Sequence, residues 1–150
     1  VREVHAEQAP SWLGGLLAAI SVDGGPTAEQ LRLIQALLRG YFGVEDPVAI
    51  VPLPVEDLAQ RVTDPGSRYR LVQTLIVLQF CRHPASRALA ESVERTAAGL
   101  GVDEPMLRVA RTAAEHSREL LMADWVRFKK NTPPEPRLRD VSDDQLASQI

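Results

Sequence analysis

LGGLLAAISVDGGPTAEQLRLIQALLRGYFGVE, residues Leu13 to Glu45, decides the fold, because it recurs without a gap as Leu71 to Asp103, LVQTLIVLQFCRHPASRALAESVERTAAGLGVD. Leu13, Leu17, Pro26, Leu31, Gly43 and Val44 fall on Leu71, Leu75, Pro84, Leu89, Gly101 and Val102. Each copy reads as a helix, a Pro-containing turn, a second helix and a Gly stop. In the first copy Trp12, Leu13, Leu16, Leu17, Ala19 and Ile20 recur at three- and four-residue steps, the helical period. Ser11 after Pro10 suits the N-cap, and Asp23-Gly24-Gly25 halts the helix. Thr27-x-x-Gln30 is a capping box that opens the next helix, with Glu29 in the first turn, where the helix dipole favours a carboxylate. Leu31, Ile34, Leu37, Leu38 and Phe42 form its apolar stripe, closed by Gly43.

Pro47, Pro52 and Pro54 forbid regular strand pairing, so Asp46 to Leu53 is expected to be an extended connector. Pro54 suits the first turn of a short helix through Val62. Asp64-Pro65 caps and begins a long helix through Phe80. A fifth helix is expected from about Ser86 to Leu100, stopped by Gly101. Asp103-Glu104-Pro105 starts a sixth, whose pattern runs through Met106, Val109, Ala113, Leu120, Leu121, Trp125 and Phe128. Six helices with short links predict an all-α bundle over residues 10–130, built from two repeated hairpins, 13–45 and 71–103. Residues 1–9 read as a flexible leader, and 131–150 as a Pro-rich linker followed by a short helix announced by the Ser142-x-x-Gln145 capping box. A helix ending at Ile150 is too short to be stable alone. It is therefore expected to pack back onto the bundle or to lead into a further domain.

The chain has 150 residues, enough to bury a substantial core without staples, and its 45% hydrophobic and 25% charged residues are ordinary globular values. A net charge of −3 and no basic run argue against nucleic acid as a partner. Cys81 alone excludes an internal disulfide and accords with a cytoplasmic location. The longest apolar run, Leu71 to Phe80, is interrupted by Gln73, Thr74 and Gln79 and is too short to cross a membrane. No phosphate loop, dinucleotide fingerprint or nucleophile elbow occurs.

The repeated unit resembles the TerB-like helical family, associated with bacterial tellurite resistance and stress responses. The residues that carry the resemblance are Ala19-Ile20-Ser21-Val22-Asp23-Gly24 with Thr27-x-Glu29, and Ala97-Ala98-Gly99-Leu100-Gly101-Val102; it covers roughly Leu13 to Glu115. In the second hairpin, Cys81-Arg82-His83 and Arg87 stand where the family usually repeats Asp-Gly and an acidic helix start. A second similarity lies in Ala123 to Phe128, Leu138 to Val141 and Ser142 to Ala147. These look like the junction in bacterial proteins where such a bundle precedes a domain of the ubiquinone-biosynthesis Coq type. The first resemblance implies a non-catalytic sensing or protein-interaction module, with a protein partner or a second copy as its ligand. The second implies the front part of a larger metabolic protein.

Candidate chemistry centres on the turns. Asp23 and Glu29 are the candidate ligands of a divalent cation, since hard ions take carboxylate oxygens; the competing role is a helix stop and a capping acid. No other cofactor and no catalytic residue is expected. Cys81 and His83 are the residue types of a nucleophile and base or of two zinc ligands, but no further motif supports either. An acidic first turn and a basic second turn are expected to orient a partner. Gly14-Gly15 inside a helix costs about 1 kcal/mol per residue against alanine, which close helix packing, or a pocket between the first and fourth helices, would justify. Trp12, Trp125, Tyr41 and Tyr69 are candidate pocket walls, and His116 is expected at the surface.

Overall fold

The structure is a computed structural model that describes residues 6–45 and 50–131; of residues 117, 118, 120, 121, 124, 125 and 127–131 it describes the helical backbone alone. His5, residues 46–49 and everything after Asn131, including the Pro-rich linker and the Ser142 capping box, lie outside the described residues. A 3-10 turn, Ala6–Gln8, leads into six α-helices: α1 (Ala9–Ile20), α2 (Ala28–Phe42), α3 (Val55–Arg61), α4 (Pro65–Phe80), α5 (Arg87–Gly99) and α6 (Met106–Asn131). The described residues contain no strand, and the protein is an all-α bundle. The chain divides into two units, Val1–Glu119 and Leu120–Ile150. The described part of the second is the end of α6, with Met122 and Val126 exposed.

Helix α1 is apolar on every side, which in a globular protein marks a helix enclosed by its neighbours. Trp12, Leu13, Leu16, Ala19 and Ile20 are all buried, and α1 packs against α2, α3, α4 and α5. It begins at Ala9, itself buried, with Pro10 in the first turn, so helix formation starts before the expected Ser11 cap and reaches into the stretch read as a leader. Proline is tolerated there because its missing N–H would have no intrahelical partner. Helix α4 is the second central element, with Leu71, Val72, Leu75, Ile76 and Leu78 buried.

The ends of the helices follow local chemistry. Thr27 and Gln30 form the expected capping box, Asp64 caps α4 through the Ser67 N–H, and Ser86 caps α5 through the Leu89 N–H. Gly43 and Gly101 adopt left-handed φ values of 65° and 69° at the ends of α2 and α5, a conformation that costs side-chain-bearing residues. Val44 and Val102, one residue on, pack against the core. Pro54 is the N-cap of α3 rather than a residue of its first turn.

Two expectations change once the helices pack. Leu31, read as part of the buried stripe of α2, is exposed, and Gln30 takes the interior position at 0% exposure. Its amide is fully used: Oε1 accepts from the Thr27 N–H at 2.9 Å, and Nε2 donates to the Leu78 carbonyl, at the end of α4, at 2.9 Å. The glycine pair serves close packing, as expected, and not a pocket between α1 and α4. Gly14 faces the connector, whose Leu53 N–H donates to the Gly14 carbonyl at 2.9 Å, and Gly15 faces Leu58 of α3. The connector and α3 thus sit directly on α1.

Arg68, near the start of α4, ties together the ends of α3 and α5. Its guanidinium donates to the carbonyls of Ala59 and Val62 at the end of α3, at 2.6 and 2.7 Å, and to Leu100 at the end of α5, at 3.1 Å. A cation is favoured at these termini, where unpaired carbonyls concentrate negative partial charge.

Candidate functional site

The two turns that the sequence singles out meet each other. Asp23 has a φ of 54°, a left-handed conformation that aspartate tolerates better than most residues, and Gly24 and Gly25 continue the turn at 96° and 82°. The Arg82 guanidinium donates to the Val22 carbonyl at 2.9 Å and to the Asp23 carbonyl, and lies 3.7 Å from Asp23 Oδ2. The Ser86 hydroxyl donates to the same Oδ2 at 2.8 Å. The acidic turn and the basic turn are therefore partners within one chain, where the sequence alone suggested that they would orient something else.

This arrangement bears on the candidate cation ligands. Asp23 is engaged by Ser86 and paired with Arg82, while Glu29 lies exposed in the first turn of α2. A cation at Asp23 would have to compete with a guanidinium for the same oxygen. No group of three or more His, Cys, Asp or Glu able to hold a metal gathers among the described residues. Cys81 is half-buried as the C-cap of α4, and His83 is exposed two residues on. His116 is exposed, as expected, with Nδ1 2.9 Å from the Thr112 carbonyl.

A different surface has the form of a binding site. A groove of about 240 Å³ opens between α1, α2 and α4, lined by Leu37 and Tyr41 of α2 and by Arg70, Thr74 and Val77 of α4, with Trp12 of α1 as a further wall. Trp12 is 2% exposed and packs on Tyr41 and Phe42, with ring centroids 5.8 and 5.7 Å away. Its indole Nε1 has no hydrogen-bond partner and is shut off from solvent. Arg70 donates to the Tyr41 hydroxyl at 3.0 Å, and the Thr74 hydroxyl donates to the Arg70 carbonyl at 2.9 Å. Gln73 completes the lining, which contains no acid. Val77 is 50% exposed. Of the aromatic residues proposed as pocket walls, Trp12 and Tyr41 serve here, Tyr69 is exposed elsewhere on α4, and the Trp125 side chain lies outside the described residues. Arg70 and Val77 escaped the sequence reading. Their signal is an i, i+7 pair on the outer face of a helix whose other faces are needed for the core.

A second cleft, about 270 Å³, lies where α1, α3 and α5 meet, and there Gly99 allows Val55 to approach α5. No described helix is long and apolar enough to cross a membrane. Comparison of the chain with protein-family models, curated proteins and solved structures gives no match.

Proposed function

We propose that this chain is a non-catalytic helical sensing or protein-interaction module, a duplicated hairpin scaffold of the TerB-like type. The observation that supports the reading is the groove between α1, α2 and α4. It combines exposed apolar anchors with one cation on rigid helices, which is the composition of a recognition surface. The charged turns are satisfied by each other and act as a clasp that holds the two hairpins in register. In this reading the function lies in what the groove recognises.

Coexpression in a bacterial host followed by pull-down tests the reading when wild type is compared with Val77→Glu, which adds a charge to the groove without touching the core. A partner, or a second copy, retained by wild type and lost from Val77→Glu is the expected result. Recovery of the same inert monomer from both would refute it.

A further inference from the structure

We propose that the groove between α1, α2 and α4 binds a small carboxylate carrying an apolar body, with Arg70 as the anion clamp. The inference deepens the reading of this groove as a recognition surface and rests on it. Three independent observations converge. The lining supplies a guanidinium and no competing acid, and that guanidinium donates to the neutral Tyr41 hydroxyl. Arginine matches a carboxylate with two parallel N–H donors, a stronger contact than its bond to a phenol. The remaining walls, Leu37, Val77 and the rings of Tyr41 and Trp12, are apolar, so a purely polar anion would leave them dry and unfilled.

The third observation is the Trp12 indole. A buried donor without an acceptor is uncommon in a native core, and each such case asks for a missing partner. Tyr41 lies against this ring and also holds Arg70. With both carboxylate oxygens on Arg70, one of them can also accept from Trp12 Nε1 once the indole edge opens to the groove, because that nitrogen is shut off from solvent in the unliganded protein. The volume of about 240 Å³ accommodates an aromatic ring or a short aliphatic chain. One guanidinium balances a singly charged headgroup.

The test is a titration of the full-length ¹⁵N-labelled chain carrying Trp125→Phe, which leaves Trp12 as the sole indole. The probes are benzoate and hexanoate, each compared with the matching alcohol, benzyl alcohol and hexan-1-ol. The expected result is a saturable downfield shift of the Trp12 indole N–H with both carboxylates, at least tenfold tighter than with the alcohols, and weakened at least tenfold in Arg70→Gln. Arg70 is exposed, so an unchanged Tm is expected to show that the variant remains folded. No saturable shift, equal binding of acid and alcohol, or undiminished binding to Arg70→Gln would each overturn the proposal. If the carboxylates fail while partner retention still depends on Val77, the ligand class is wrong and the recognition surface stands. If the carboxylates bind while no partner is retained, the ligand class stands without the protein partner.

Discussion

Replacing glycine by alanine at three helical positions should give opposite signs, because the space around each differs. A Cβ on Gly40 would meet no heavy atom within 4 Å, so Gly40→Ala should stabilise by about 0.5–1 kcal/mol through helix propensity alone. A Cβ on Gly14 would stand 2.5 Å from the Val51 carbonyl oxygen and 3.1 Å from Leu53 Cβ. The connector must retreat, and with it goes the Leu53 N–H bond to the Gly14 carbonyl. Overpacking costs about 1–3 kcal/mol and the lost bond about 1 kcal/mol. Against a propensity gain of about 1 kcal/mol, Gly14→Ala should be destabilised by about 1–3 kcal/mol, or roughly 3–10 °C in Tm for a chain of this size. Gly15→Ala collides with the buried Leu58 side chain, at 2.5 Å from Cδ2, rather than with backbone. Leu58→Val in the same chain should therefore recover part of that loss and none of the loss at Gly14. Urea unfolding of the variants is the assay. A Gly14→Ala protein as stable as Gly40→Ala, or a Leu58→Val rescue of both sites, would refute the account of how the connector seats on α1.

Arg68→Lys should lower unfolding stability by about 1–3 kcal/mol, since charge-assisted bonds to three helix-end carbonyls collapse to what one ammonium can reach; unchanged urea midpoints would contradict it. The Tyr69 hydroxyl has its pKa raised from its ordinary value, chiefly by the neighbouring Glu104 carboxylate and then by partial desolvation, with Gln73 acting the other way. The folded state favours the neutral phenol, so this contribution is fully present below the unfolded pKa and lost as pH rises through the raised folded value. Ultraviolet titration in a Tyr41→Phe background should show Glu104→Gln moving the transition down, and an unmoved transition would remove the contact. Calorimetric titration with Ca²⁺, Mg²⁺ and Zn²⁺ should give equal heats for wild type and Asp23→Ala, because Arg82 and Ser86 already hold that carboxylate; a larger wild-type heat would restore Asp23 as a ligand.

What was legible in the sequence is what depends on neighbours along the chain. The helical period, the Thr27 capping box, the Asp64 cap and the Gly43 and Gly101 stops each need only residues within one turn. What was hidden depends on partners far apart in sequence. Gln30 looked like a capping residue on a polar face, and its second bond, to Leu78, places it in the core. Arg68 and Arg70 are two positions apart and indistinguishable by pattern, yet one clamps three carbonyls and the other lines the groove. The charges of the two turns were visible, but that they neutralise each other required the hairpins to be docked.

That docking also accounts for arginine and serine in the second turn, opposite Asp23. Two acidic turns brought together would repel, and the Val22 and Asp23 carbonyls would lose the donors that Arg82 supplies. The Arg82 side chain is only 13% exposed, so its charge is partly withdrawn from water and needs an acceptor-rich turn opposite it. Ser86 serves both sides at once, accepting from Leu89 to cap α5 and donating to Asp23. The two turns thus act as complementary halves of a clasp between α1 and α5. With the turns committed to each other, the unpartnered indole of Trp12 is the unsatisfied donor at the groove between α1, α2 and α4, and the proposed recognition rests on that groove.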